Sequence, residues 1–309
     1  MTGCFTGVES TPRITDRNVR KSGVRTTPEM TLLDDVVPQP PSQWQAGKRF
    51  YVTDNRVQLL FTPGVDGAAS TVPDSLGGTE LRLGDVSLFT GLNGDSEVQL
   101  AFADADGHRL IYRPGLTERE FKADSVLAVP FTIDLDMVQA VRKRLAGNTY
   151  YLLSARRFDK NGVETEGLRY IPVKVTDVGP GNDNQPLRVF FVTDSTADIR
   201  TGRPAHAPTD TMSVLMTIGH GRTATRNFDT MFALDNPRKQ YPQITDRAWA
   251  DIMRSRVRIG MTPVECRLAL GTPNEYLKIP TTAGMVERWT YGDGVYLFFE
   301  DGVLSRFRR

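Results

Sequence analysis

Residues 257–309 include Val257-Arg258-Ile259-Gly260-Met261-Thr262-Pro263-Val264-Glu265-Cys266, then Ala269-Leu270-Gly271-Thr272-Pro273. Further on come Trp289-Thr290-Tyr291 and Phe298-Phe299-Glu300-Asp301-Gly302-Val303. Thr262 stands where a helix N-cap belongs, Pro263 at the first helical position and Glu265 three residues after the cap, which makes a capping box. Met261 and Cys266 occupy the hydrophobic-staple positions around it. Gly271 permits the left-handed turn that ends a helix, and Pro273 prevents the helix from resuming. The spacing therefore predicts a short helix with both ends specified.

Downstream, 286–291, 295–300 and 303–308 have strand length and composition, separated by Asp293-Gly294 and Asp301-Gly302 turn signals. Period two groups Trp289 with Tyr291, Val295 with Leu297 and Phe299, and Val303 with Phe307. Cys266, Ala269 and Leu270 follow helical spacing and are expected to cover that sheet, with 278–284 as a polar loop before its first strand. Thr245 before Trp249, Ile252 and Met253 predicts an earlier capped helix. The sum is two helices and three antiparallel strands.

Gly260-Met261-Thr262, Leu270-Gly271-Thr272-Pro273, Trp289-Thr290-Tyr291 and Phe299-Glu300-Asp301-Gly302-Val303 resemble the SmpA/OmlA family. Its BamE-like fold occurs in small outer-membrane lipoproteins, and β-lactamase inhibitor proteins resemble it too. The resemblance runs from about Thr245 onward and covers no other part of the chain. It implies a small ααβββ module and an envelope location. It implies no reaction, because the matching residues cap, turn or fill a core.

At 309 residues, with 39% hydrophobic and 24% charged residues, the chain is long enough for two or three folded units. Lys and Arg number 38 against 37 Asp and Glu, so no global field points to nucleic acid. No run approaches the length of a membrane span. The two cysteines, Cys4 and Cys266, suit neither a disulfide framework nor a metal site. Cys266 falls on the inferred buried face of its helix. Thr2-Gly3-Cys4 resembles the end of a bacterial lipobox, which implies a signal peptide ending there and lipidation at Cys4.

Residues 1–43 read as a flexible, lipid-anchored tail: polar and basic to Thr27, then stiffened by Pro38-Gln39-Pro40-Pro41. A β-rich domain is expected over 44–129, with strands at 50–53, 57–61, 79–83, 85–89, 98–103 and 108–113. A second follows over 130–235, with one helix, Asp134–Leu145, and strands at 150–158, 167–175, 187–193 and 211–218. The fold class is thus α+β, two β-rich sandwich or barrel-like units followed by a BamE-like module at 236–309. Phe190-Phe191-Val192-Thr193-Asp194 echoes Phe50-Tyr51-Val52-Thr53-Asp54, a single short match between the two units.

Chemistry is sparse. His108, His206 and His220 have no second ligand at metal spacing. Gly219-His220-Gly221-Arg222 fits neither phosphate-binding pattern, Ser195 lacks a nucleophile-elbow context, and Glu118 and Glu120 sit in a mixed-charge run. No cofactor or metal is expected. Arg254, Arg256 and Arg258 after one helix, with Arg306, Arg308 and Arg309 on the last strand, are expected to form one basic patch facing headgroups or an acidic partner. The reading is a non-enzymatic lipoprotein on the periplasmic face of the outer membrane, binding envelope proteins and no nucleic acid. The alternatives are a periplasmic or secreted inhibitor or ligand-binding protein and, for want of catalytic groups, a less favoured enzyme.

Overall fold

The computed structural model describes residues 27–64, 71–90, 94, 96–123, 126–193, 211–218, 226–281 and 284–308. The expected lipidation site at Cys4, His206, His220, Ser195 and Arg309 lie outside them. The architecture is α+β, with two β-rich units followed by a smaller helix–sheet module.

The chain begins with α1 (Pro28–Thr31). Unit one then contains β1 (Arg49–Val52), β2 (Phe61–Pro63), β3 (Glu80–Thr90), β4 (Ser96–Ala103), β5 (Arg109–Tyr112), α2 (Glu118–Ala123) and β6 (Thr132–Asp134). Its antiparallel sheet has the order β2-β5-β4-β3-β1-β6. Unit two follows α3 (Leu135–Leu145) with β7 (Thr149–Leu152), β8 (Arg156–Phe158), β9 (Glu164–Glu166), β10 (Ile171–Pro180), β11 (Leu187–Thr193), β12 (Met212–Met216), α4 (Phe228–Met231) and β13 (Phe232–Ala233). Its sheet runs β9-β8-β12-β11-β10-β7-β13.

Apart from the added β9, the two orders are the same, and local details repeat as well. Ala46-Gly47-Lys48-Arg49-Phe50-Tyr51-Val52 enters β1 as Ala146-Gly147-Asn148-Thr149-Tyr150-Tyr151-Leu152 enters β7. Gly47 and Gly147 both take positive φ, which only glycine adopts without strain. Each donates its N–H to the carbonyl before a bulge: Gly47 to Leu83 at 2.7 Å, Gly147 to Val175 at 2.8 Å. Those bulges interrupt Leu81-Arg82-Leu83-Gly84-Asp85-Val86 and Val173-Lys174-Val175-Thr176-Asp177-Val178 at the same place. Leaving the two strands, Thr53 N–H donates to Phe131 O and Leu153 N–H to Met231 O, each at 2.9 Å. The β-rich part is thus an internal duplication. The echo between Phe50–Asp54 and Phe190–Asp194 does not mark it, since Phe50 lies in β1 and Phe190 in the counterpart of β4.

The module comprises α5 (Asp246–Met253), α6 (Pro263–Leu270), β14 (Glu275–Thr281), β15 (Gly284–Thr290), β16 (Tyr296–Glu300) and β17 (Val303–Arg308), its sheet in the order β14-β15-β16-β17. The capping box is present: Thr262 Oγ1 accepts from Glu265 N–H at 3.3 Å, and a Glu265 carboxylate oxygen accepts from Thr262 N–H at 2.7 Å. Thr245 caps α5 through Ala248 N–H. Met261, Cys266 and Ala269 pack with Trp289, Leu297, Phe299 and Leu304.

Several expectations need correction. Residues 278–281, expected in a loop, are strand: β14 pairs with β15 from Glu275↔Thr290 to Thr281↔Gly284, giving four strands instead of three. Residues 57–61 do not form a strand, because Asp54 caps a 3-10 helix over Asn55–Leu60 through Arg56 N–H. Residues 150–158 form two strands, β7 and β8. The first sheet takes its last strand from 132–134, past the boundary expected at 129. The flexible tail was expected to reach 43, yet Leu33 and Val36 are buried in the core of unit two. That same core takes in Ile252, Cys266, Trp289 and Phe299, so it is continuous across the boundary expected at 235/236, while unit one has a core of its own.

Candidate functional site

The seam between unit two and the module is built from the segment before β10. Arg169 donates from Nη1 to Ala269 O at 2.7 Å and from Nε to Leu153 O at 2.6 Å. Tyr170 donates its hydroxyl to Leu268 O at 2.7 Å. These donors satisfy carbonyls at the C-terminal end of α6 that the helix itself leaves open. Tyr170 has φ of 59°, a left-handed conformation that costs a bulky residue energy, and its ring packs on Trp249 at 5.3 Å. Burial pushes its phenol up from the ordinary tyrosine range.

A cleft of about 760 Å³ opens along this seam. Arg156, Arg169, Arg226 and Arg256 line it, with Glu166 as the one carboxylate among the lining residues. Leu153, Met231, Val257, Leu270 and Phe307 supply apolar wall. Arg226 donates from Nε to Leu215 O at 2.9 Å. Its guanidinium is pushed below the usual arginine range by burial, against the opposing pull of Glu164, and the like charge of Arg156 pushes the same way. Arg156 reaches Glu164 at 3.7 Å. Arg256 is exposed, and its guanidinium makes no hydrogen bond or ion pair with another described residue.

Behind the β8–β9 hairpin, Arg157 is 4% exposed and bonds only carbonyls, Leu168 O at 2.5 Å and Ala155 O at 3.4 Å. Burial pulls its pKa down to about 10, so it stays charged at neutral pH. Gly167 makes room for it: a Cβ there would stand 2.5 Å from the Arg157 guanidinium carbon.

The sheet of the module has a second, open face. Three cross-strand rows point away from the helices: Ile279-Val286-Glu300-Val303, Leu277-Arg288-Phe298-Arg306 and Glu275-Thr290-Tyr296-Arg308. The Arg306 guanidinium lies 4.3 Å from the Phe298 ring centroid. Arg288 Nε and Thr290 Oγ1 are buried there without a partner among the described residues. Tyr276, on the edge strand, and Met285, beside the hairpin tip, lie on the helix-side face yet remain 58% and 53% exposed, so the helices do not cover all of that face. Among the described residues, eight of the fourteen exposed large hydrophobics fall between Ile259 and Phe307, which makes this module the stickiest surface described.

The expected single basic patch is divided. Its two segments do meet in the backbone, where Gly260 N–H donates to Leu304 O and Leu304 N–H to Met261 O. The strand period then separates the side chains. Ser305 is the extra residue of a bulge in β17, so Leu304 and Phe307 point to the helices while Arg306 and Arg308 point to the open face. Arg256 lines the cleft, Arg258 pairs with Asp251 at 2.9 Å, and Arg254 Nη1 donates to Ala250 O. The same bulge turns Val303 outward, where Leu304 takes its expected core position. Arg156, Arg169 and Arg226 were not picked out in the sequence, because 70 residues separate Arg156 from Arg226 and neither lies in a motif.

Among the described residues, Asp104, Asp106 and His108 are the group whose ligand atoms come together, within 4.8 Å. Asp104 closes a hairpin turn, accepting from Asp106 N–H, His108 N–H and the His108 ring, which accounts for the grouping. Glu118 and Glu120 lie on α2, where Glu118 pairs with Lys122 and Glu120 caps Thr117. No described helix is long and apolar enough to cross a membrane.

No family model, curated protein or solved structure matches the chain.

Proposed function

We propose that this chain is a non-enzymatic envelope lipoprotein, anchored through Cys4, that binds another protein with the open face of its C-terminal sheet. The observation that carries this reading is the face itself. A four-stranded sheet buries one side under two helices and leaves the other uncovered, with a free edge at β14 bearing Leu277 and Ile279. Arg288, Arg306 and Arg308 outnumber Glu275 and Glu300 across the three rows, which suits an acidic partner. The outer-membrane location and the SmpA/OmlA likeness rest on the sequence motifs, as does lipidation.

Reversing the sign of Arg306 and Arg308 tests the binding role, because both are exposed and neither enters the core. Arg306→Glu with Arg308→Glu should abolish capture of envelope proteins at low salt and leave the thermal midpoint unchanged. Equal capture by the double variant and the wild type would move the binding surface elsewhere. Cys4→Ser should release the native protein from membranes, and mass spectrometry should find an acylated N-terminus. An unmodified native cysteine would remove the anchor from this proposal.

A further inference from the structure

The cleft on the other side of that sheet makes a separate demand. It gathers Arg156, Arg169, Arg226 and Arg256, with Arg157 just behind its wall. Among the described residues named at the cleft, Glu164 and Glu166 stand against these five guanidinium groups. Protein carbonyls take the hydrogen bonds of Arg157, Arg169 and Arg226, which fixes the side chains in place without neutralising them. Like charges in a partly desolvated space repel, and an anion relieves the repulsion. The Arg256 guanidinium keeps its donors unspent by any described residue.

The other wall is apolar. Leu153, Met231, Leu270 and Phe307 come from four separate parts of the chain and meet there, and Phe307 is on the helix-side face though 40% exposed. A volume of about 760 Å³ falls within the range of small-molecule sites, which combine an apolar lining with a few placed polar groups.

We propose that the cleft between unit two and the C-terminal module binds a small anionic amphiphile. Its carboxylate or phosphate head sits among Arg156, Arg226 and Arg256, and its aliphatic body lies along Leu153, Met231 and Phe307. Guanidinium forks match both oxyanions in geometry and charge. The apolar wall supplies what a bare inorganic anion would not use. This site is independent of the open sheet face and of the anchor.

Calorimetric titration of the full chain with decanoate, decyl phosphate, decanol and acetate tests it at concentrations below micelle formation. Saturable binding of decanoate or decyl phosphate, with decanol and acetate at least tenfold weaker, is the expected result. The decanoate and decyl phosphate arms tell a carboxylate site from a phosphate site, and tight binding of one or both supports the proposal. Arg256→Gln and Arg156→Gln should each weaken binding roughly tenfold, the scale of one lost charged hydrogen bond. Both side chains are exposed, so the fold should persist, as an unchanged thermal midpoint without ligand would confirm. A Phe307→Ser variant, at a wall residue that is 40% exposed, should weaken the ten-carbon ligands and leave acetate unaffected. Decanol binding as well as decanoate, or full affinity in the Arg156→Gln/Arg256→Gln double variant, would overturn the proposal.

Discussion

Removing the Tyr170 hydroxyl isolates one link between unit two and the C-terminal module. In Tyr170→Phe the ring keeps its packing on Trp249, while Leu268 O near the end of α6 loses its donor at 2.7 Å. A hydrogen bond of this kind contributes about 0.5–1.5 kcal/mol net, and a buried acceptor left unsatisfied costs about 1–3 kcal/mol. The neighbouring Arg169 still donates to Ala269 O, so the end of the helix is not abandoned. The expected loss is about 1.5 kcal/mol, near the low end of those ranges combined. With a urea slope of about 3 kcal/mol per molar, the midpoint falls by about 0.5 M. The assay is an equilibrium urea melt in a Trp44→Phe background, followed by tryptophan fluorescence, which then sees only Trp249 and Trp289 around the seam, and by far-ultraviolet circular dichroism, dominated by backbone. Because the core runs without a break from Val173 through Ile252 to Phe299, unit two and the module should lose structure in one transition that moves as a whole. An unchanged midpoint would refute the accounting for the hydroxyl. A melt in which the tryptophan signal moves alone would refute the shared core.

Other expectations follow from single contacts. Thr262→Ala should cost about 0.5–2 kcal/mol, since Glu265 N–H loses its acceptor, and urea melts check it. Lys48→Met should cost about 3 kcal/mol in thermal melts, because it leaves Asp134 half of a pair whose lysine side chain is 2% exposed. Burial pushes the Cys266 thiol up to about 12, whereas an unfolded thiol ionises near 9. The folded state thus holds a proton that the unfolded state has lost, so stability falls from pH 9 toward 12, and Cys266→Ala should flatten that slope in melts across the range. In a Cys4→Ser background, aromatic disulfide reagents should label Cys266 only at the rate of unfolding, and instant labelling would show the helix open. Gly167→Ala should lower the thermal midpoint by displacing the Arg157 guanidinium.

What could be read in advance was what is local. Thr245 and Thr262 mark helix starts because a cap and its partner lie within three residues, and both caps form. Asp134–Leu145 was readable for the same reason. The fourth strand of the module was missed because Glu275-Tyr276-Leu277-Lys278-Ile279-Pro280-Thr281 mixes charge and proline into an apolar run, as an exposed edge strand does. Ser305 hid the bulge of β17, and one unpaired residue put Leu304 in the core place expected for Val303, while Arg306 and Arg308 kept the face opposite Phe307. The cleft could not be read at all, since Leu153, Arg226, Arg256 and Phe307 meet only through tertiary packing.

The duplication was nearly invisible for a physical reason. Its two copies keep the glycine at a positive φ, the bulge after an apolar-basic-apolar run and the carbonyl that receives Thr53 or Leu153, while the residues between drift among apolar types of similar volume. Where the copies part company is therefore informative. After β1 the chain winds through a 3-10 helix, Asn55–Leu60, before β2. After β7 it runs into β8 and the added strand β9, bringing Arg156, Arg157 and Glu166 to the module. Arg169 and Tyr170, which clamp α6, follow directly from that insertion. The second copy thus carries, in the stretch that differs from the first, both the clamp on the C-terminal module and two of the four arginines of the cleft, Arg156 and Arg169. A stability role alone would need the clamp and would not need Arg156 and Arg256 turned into a space already short of carboxylates. The insertion is best understood as having made an interface and a binding site together.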